Sequence, residues 1–410
     1  MSTSIGINES RLHERLKKLA EIGALPERGV KRLALSREEK NGRDLIRAWM
    51  EEAGLSVRVD AIGNIFGLMP GRESEPHVLT GSHTDTVATG GPYDGAYGVI
   101  GGLEAVQSII ESGAKPNHPL GAAVFTNEEG VRFHPDMMGS RVFTGEMSLE
   151  SALESRDKDG VSIGEALDQT GYRGAVPPGD IPVKCFMELH IEQGPVLHTE
   201  SLSIGAVQGV QGIYWTEFTL KGATNHAGTT PMDMRRDALL GAAEAVIFAR
   251  RLCEEVGVGQ RATVGSLRVE PSLVNVLAEK AEFTVDLRNA DQGLLNNAQS
   301  MMEEEIRLIC ERHGLDFSAR DIGRVDPVVF DREMVDMVEK AARSMGLPYR
   351  KMISGAGHDA QLMAARFPTA MIFVPSQGGI SHSIHEHTAP DDLTAGVRVL
   401  ADVMGKLAGV

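Results

Sequence analysis

Three residues able to do acid–base or metal chemistry, His83, Asp85 and Asp94, fall within the glycine-rich stretch GSHTDTVATGGPYDGAYG, Gly81 to Gly98. In SHTD, residues two apart point to the same side of an extended backbone. A metal-bound imidazole whose other nitrogen donates to a carboxylate uses this spacing. It makes His83 a candidate ligand and Asp85 its orienting partner, or a second ligand. Asp94, at the start of a helix, suits an N-cap as well as a carboxylate bridging two ions, with the glycines admitting close backbone. TNEEG then sets Glu128 and Glu129 side by side after the apolar run GAAVFT. Adjacent side chains diverge there, so one can bind metal while the other takes a proton from water; an exposed acidic pair is the plainer account. His190, in ELHIEQGP with Glu192 and Gln193 behind it, ends the run CFMELHI, where a satisfied core histidine is commoner than a ligand. His382 lies in GGISHSIHEH, a loop shared with His385, Glu386 and His387. Together these imidazoles and carboxylates suffice to hold two divalent ions with one aspartate shared. Nitrogen and oxygen ligands without cysteine suit Zn²⁺, Mn²⁺, Co²⁺ or Ni²⁺, and sequence does not choose among them.

What must position them is a set of strand ends. HVLTG (77–81), GAAVFT (121–126), CFMELHI (185–191) and PTAMIFVPS (368–376) are short apolar runs that each end in polar residues. Helical spacing separates them, at Glu9 to Ile22, in Gly42 to Ala53, in GAYGVIGGLEAVQSII and at 332–345. Strand–loop–helix alternation implies an α/β domain with a largely parallel central sheet and helices on both faces. Ligands of such sheets bind at the carboxyl ends of the strands. Near residue 213 the texture changes. IYWTEFTLKG alternates like a half-exposed strand, followed by a helix (235–257), strands at 262–269 and 280–288, a helix (292–314) and a strand (315–322). That βαββαβ order suggests an inserted ferredoxin-like α+β module. The expected division is 1–212 with 328–410 around 213–327. No internal repeat or low-complexity segment is evident.

The bulk properties narrow the function classes. A chain of 410 residues, with 42% hydrophobic and 24% charged residues, fits two ordinary globular domains. A net charge of −16 without a Lys/Arg cluster argues against nucleic acid and anionic membrane as partners. Cys185, Cys253 and Cys310 stand far apart and read as free thiols of a reducing compartment. The N-terminal MSTSIGINESRLHERLKKLAEIG lacks an apolar core, and no run reaches the roughly 18 apolar residues of a membrane span. A cytoplasmic location is expected.

The chain resembles the M20-type dinuclear metallohydrolases, and more narrowly their amidase/hydantoinase/carbamoylase branch: N-carbamoyl-L-amino-acid hydrolases, β-ureidopropionases and allantoate amidohydrolases. The resemblance rests on GSHTDT with GGPYDGAYGV, TNEEG with RF and GSR, ELHIEQGPVL, NHAGTTPMDMRRDAL, SGAGHDA and ISHSIHEHT, in the family's order from about 80 to 390. It implies two metal ions per subunit held by His83, Asp94 as bridge, Glu129, His190 and His382, with Glu128 as general base. It implies that the inserted module is a lid and dimerisation domain. His226, in TNHAGTTP, is then expected to reach the active site of the other subunit of a homodimer and stabilise the oxyanion. Asn275 and Arg288 match positions that grip the substrate, Arg288 through its carboxylate; Gln193, Gly355 and Gly357 are implied neighbours. The expected substrate is a small ureido or carbamoyl compound with a free carboxylate. Thr84 stands where the family leads one to expect leucine, and Trp215 favours the carbamoylase members.

Overall fold

The computed structural model describes residues 5–72 and 76–410. Residues 1–4 of the N-terminal stretch read above, and residues 73–75, lie outside that range. The chain divides into two compact units, Met1–Gly209 with Val329–Val410, and Val210–Val328. The described strands are β1 (Ser56–Val59), β2 (Ile65–Met69), β3 (His77–His83), β4 (Leu120–Phe125), β5 (Val183–Ile191), β6 (Ile204–Val210), β7 (Gly212–Lys221), β8 (Arg261–Glu270), β9 (Lys280–Asn289), β10 (Asp316–Val325), β11 (Val328–Val329), β12 (Tyr349–Ser354) and β13 (Thr369–Val374).

In the first unit one sheet runs β1-β2-β4-β3-β5-β13-β6-β11, with β12 beside β6. Its centre, β4-β3-β5-β13, is parallel, and β1, β2 and β6 join antiparallel. β3, β4 and β13 are buried at every residue, which is why their sequences lack the alternation of a half-exposed strand. Helices Ala96–Glu111 and Pro390–Ala408 pack on each other and on the central strands, while Met138–Thr144 pairs with Asp359–Ala364. Because the four central strands share a direction, the loops after His83, Phe125, Ile191 and Val374 emerge along one edge. Register brings His83 opposite Phe125 and His190 opposite Phe373.

The structure departs from the sequence reading at several elements. The second helix starts at Arg37 rather than Gly42, capped by Ser36, whose side chain accepts the Glu39 N–H. β1, β2, β6 and β12 were not foreseen: they are short, half-exposed or rich in glycine, so their apolar pattern is weak.

The second unit is a four-stranded antiparallel sheet, β10-β7-β9-β8, with helices Ala238–Val256 and Gln292–His313. The βαββαβ order and this strand arrangement are ferredoxin-like. β9 alternates strictly between buried and half-buried positions, and Phe218, Phe283, Leu252 and Ile306 share the core beneath it. No helix among the described residues is long and apolar enough to cross a membrane.

Candidate metal centre

His83 ends β3 and His190 is the penultimate residue of β5, both essentially buried. Each ring is held by a backbone carbonyl. Nδ1–H of His83 donates to Asp85 O at 2.9 Å and Nδ1–H of His190 to Ile191 O at 2.9 Å. Both Nε2 atoms are thereby left facing inward. His83 Nε2 lies 3.7 Å from Asp94 Oδ1, and His190 Nε2 3.3 Å from the same oxygen. The other oxygen, Asp94 Oδ2, is 3.3 Å from His382 Nε2, which is 3.6 Å from Glu129 Oε2. Ligand atoms of His83, Asp94 and His190 fall within 4.8 Å of one another, and so do those of Asp94, Glu129 and His382. Glu128 Oε2 stands 3.4 Å from His83 Nε2 and belongs to neither triad.

Two sequence expectations are corrected by this geometry. The carbonyl of Asp85 orients His83; its carboxylate is farther away, at 3.8 Å, and instead accepts the backbone N–H groups of Glu128 and Glu129 at 3.2 Å each. Asp85 therefore links the β3 loop to the acidic pair. Asp94 does not cap the helix that follows, which starts after Gly95 with no side-chain cap. Its Oδ2 accepts from Gln193 Nε2 at 2.9 Å and Ser381 Oγ at 3.0 Å, while Glu386 Oε1 accepts the Asp94 N–H at 3.2 Å.

Gly95 shows why the loop is rich in glycine. Its φ is +61°, and a Cβ there would stand 2.4 Å from the His83 ring. Its N–H also donates to His190 Nε2 at 3.2 Å. Only a hydrogen fits between the helix start and the imidazole.

The electrostatics describe a site short of positive charge. Burial, with Asp359, Glu129, Asp85 and Asp94 nearby, pushes the Glu128 carboxyl well above its ordinary range. Burial and Asp94 push Glu129 up to about 9. Burial lowers His83 to about 4. Burial would also lower His190, but its bond to Asp94 prevails and raises it to about 9. The same bonds from His190 and His382 outweigh burial at Asp94 and hold it well below the carboxylate range. Crowded carboxylates and inward imidazole nitrogens form a donor set that divalent cations fit. Gln193 adds a buried Oε1 with no hydrogen-bond partner among the described residues.

These groups line a cavity of about 170 Å³, which Gln193, Gly357 and His358 also border. Gly355, two residues before Gly357, is exposed. Sequence reasoning missed His358, Ser381 and the bonding role of Glu386. His358 stands beside the His190 ring with centroids 4.6 Å apart, and only its place after the GAG glycines pointed to it. Ser381 precedes His382, and Glu386 shares its loop.

In the second unit, His226 is exposed, and its Nδ1 accepts the N–H groups of Gly228 and Thr229 at 3.0 and 3.2 Å. Its ring proton therefore sits on Nε2. Asn275 is exposed on the facing segment, where its carbonyl accepts the Ala227 N–H at 3.0 Å. Arg288 is half-buried on β9 and paired with Asp286 at 2.9 Å.

Comparison with known proteins gives this arrangement a context. Residues 79–406 match the model of peptidase family M20/M25/M40. An N-carbamoyl-L-amino-acid amidohydrolase of Rhizobium meliloti is 41% identical, over 96% of this chain and 95% of that protein. An allantoate amidohydrolase of Bacillus subtilis is 36% identical, over 95% of each. The crystal structure of an amidase of the hydantoinase/carbamoylase family from Burkholderia multivorans superposes with a TM-score of 0.95 at 43% identity, covering 99% of both chains.

Proposed function

Because this chain belongs to peptidase family M20/M25/M40, and is an amidohydrolase of the carbamoylase and allantoate group, we propose that it hydrolyses N-carbamoyl-L-amino acids to amino acid, CO₂ and ammonia. The observation that carries the reading is the division of the two Asp94 oxygens between two ligand triads, with Glu128 beside them in neither. Two divalent ions, Zn²⁺, Mn²⁺, Co²⁺ or Ni²⁺, one at His83, His190 and Asp94 and one at Asp94, Glu129 and His382, would supply an acidified water and stabilise developing negative charge. Glu128 takes the proton of the attacking water on its carboxylate and delivers it to the departing nitrogen. His226, contributed by the second subunit of a homodimer, donates its Nε2–H to the carbonyl oxygen as charge develops there. Arg288 exchanges Asp286 for the substrate carboxylate, a bidentate match for its fork, while Asn275, Gln193, Gly355 and Gly357 hold the remainder. Segment 213–327 serves as lid and dimer contact for a catalytic domain made of 1–212 and 328–410.

The test is turnover by metal-free protein reloaded with each of the four ions. Substrates are N-carbamoyl-L- and D-amino acids, N-carbamoyl-β-alanine, allantoate and a dipeptide. The highest kcat/KM is expected for an N-carbamoyl-L-amino acid. Preference for allantoate or N-carbamoyl-β-alanine would replace the substrate and keep the machinery, whereas cleavage of the dipeptide alone would overturn the reading. Mixed dimers of His226→Ala and Arg288→Ala, each inactive alone, should regain part of the activity if the site is shared between subunits.

A further inference from the structure

The helix Arg37–Glu52 carries two fully buried charges one turn apart, Glu39 and Arg43, which form an ion pair. Each also reaches one of the loops of the metal centre. Glu39 Oε1 accepts from Thr84 Oγ1 at 3.0 Å, and Thr84 lies between His83 and Asp85. Arg43 Nη2 donates to Thr126 Oγ1 at 3.1 Å, two residues before Glu128, and Nη1 donates to Gly63 O at 2.6 Å. The second Glu39 oxygen accepts the Leu35 N–H at 3.0 Å. Arg32, buried as well, adds a bond from Nε to Thr84 O at 3.1 Å and one from its backbone N–H to Thr86 Oγ1 at 2.8 Å.

We propose that the Glu39–Arg43 pair is a positioning clamp that fixes the separation between the His83–Asp85 loop and the Glu128–Glu129 loop, with the Thr84 and Thr126 hydroxyls as its two contacts. The inference rests on the two-ion reading of the centre. Buried ion pairs are weak devices for stability alone, since apolar residues of the same size often do as well. This helix already buries Ile46, Trp49 and Met50 for packing. What the charged pair adds is direction: a planar guanidinium fork ties one carboxylate, one carbonyl and one hydroxyl at fixed angles. The clamp also accounts for Thr84. A leucine there would withdraw the hydroxyl from a buried carboxylate oxygen, whereas threonine supplies a donor.

The test measures Co²⁺ binding to metal-free protein, the visible absorption of the bound Co²⁺, and kcat. The variants are Thr84→Val, Thr84→Ser, Thr126→Val and Arg43→Lys. Thr84→Val is nearly isosteric and Arg43→Lys keeps the charge but loses the fork. We expect Thr84→Val and Arg43→Lys to weaken Co²⁺ binding and lower kcat by about 10- to 100-fold each, the range for groups that orient metal ligands. The Co²⁺ absorption should shift, Thr84→Ser should stay within about threefold of wild type, and the combined variant should be no worse than the worse single one, because both act through one clamp. Thr126→Val, on the opposite arm, should lower kcat with less effect on Co²⁺ binding, and it decides the matter if the Arg43 variant fails to fold. Lowered thermal stability with Co²⁺ affinity, absorption and kcat all within twofold of wild type would overturn the clamp. Wild-type protein that binds no Co²⁺ would overturn the metal reading beneath it.

Discussion

Gly95→Ala is the perturbation whose consequence can be worked out most directly from the geometry. Two penalties add. A non-glycine residue at φ +61° and ψ −49° carries strain of roughly 1–3 kcal/mol. The new Cβ would also stand 2.4 Å from Cε1 and Nε2 of His83 and 2.5 Å from Cδ2, so the ring must retreat by about 1 Å to reach ordinary van der Waals contact. Metal–nitrogen bonds are about 2.0–2.1 Å long, and a ligand moved by half that length no longer binds. The collision falls on His83, which is not a member of the triad of Asp94, Glu129 and His382. Metal analysis should therefore find a fall from two ions towards one per chain. Turnover should fall by about 100-fold or more, the effect of a misplacement near 1 Å. Gly54→Ala separates strain from collision, because Gly54 has φ +81° with nothing within 4 Å of its Cβ position. It should lose stability while keeping both ions and normal turnover. Two ions and turnover within threefold of wild type in Gly95→Ala would refute the reasoning, as would equal damage from Gly54→Ala.

Glu128→Gln should keep both ions, since Glu128 lies in neither triad, yet lose about 10²- to 10⁴-fold in kcat; near-normal turnover would remove it as the base. Asp85→Asn places an amide N–H against one of the two backbone N–H donors of the acidic pair and should cost about 10- to 100-fold in kcat with metal content unchanged. Loss of metal instead would make Asp85 a ligand. Burial raises the Cys185 thiol to about 12 and the Cys310 thiol to about 11, so at pH 8 iodoacetamide should label Cys253 first and reach the other two only in denaturant. The sign of the linked stability follows. Native Cys185 keeps its proton to about pH 12 while the unfolded thiol loses it near 8.5, so this contribution is intact below about pH 8.5 and declines above it. At pH 9.5 the loss is roughly 1.4 kcal/mol, and urea midpoints across pH 8–10 in wild type and Cys185→Ala would detect it; identical slopes would refute it.

Most of the candidate ligands were legible because they stand at or just past the end of a strand-like run, and in a parallel sheet such ends lie on one edge. His83 after HVLTGS, Glu129 after GAAVFT and His190 at the end of CFMELHI follow that rule. His382 obeys it less closely, eight residues past the end of β13, and was noticed for its company of histidines. Backbone partners were not legible. HxD spacing suggested a carboxylate orienting His83, but a strand end can turn its own carbonyl onto the ring, and a sequence does not record which oxygen of Asp85 does so. The Asp94 cap failed for a related reason: GGPYDG reads as a helix entry, but the residue able to cap is drawn away by Gln193 and Ser381, which come from loops 99 and 287 residues distant.

The helix Arg37–Glu52 is the most instructive failure, because one error hid the partner of Arg43. Its apolar stripe begins late, so periodicity started it at Gly42 and left Glu39 outside. With the helix begun at Ser36, Glu39 and Arg43 become an i, i+4 pair. Such a pair is ordinarily read as a solvent-exposed ornament worth about 0.2–0.5 kcal/mol. Here both members are fully buried and tied to the loops that carry the candidate metal ligands. Patterning marks which face of a helix is apolar and scores a charge on that face as noise. At a functional edge the inference runs the other way: a charged pair inside the apolar arc has to be paired and hydrogen-bonded to be tolerated, and its partners lie wherever polar groups are themselves buried. In an α/β sheet that place is the row of strand ends, so a helix with a buried i, i+4 pair points to the active edge of the sheet it covers.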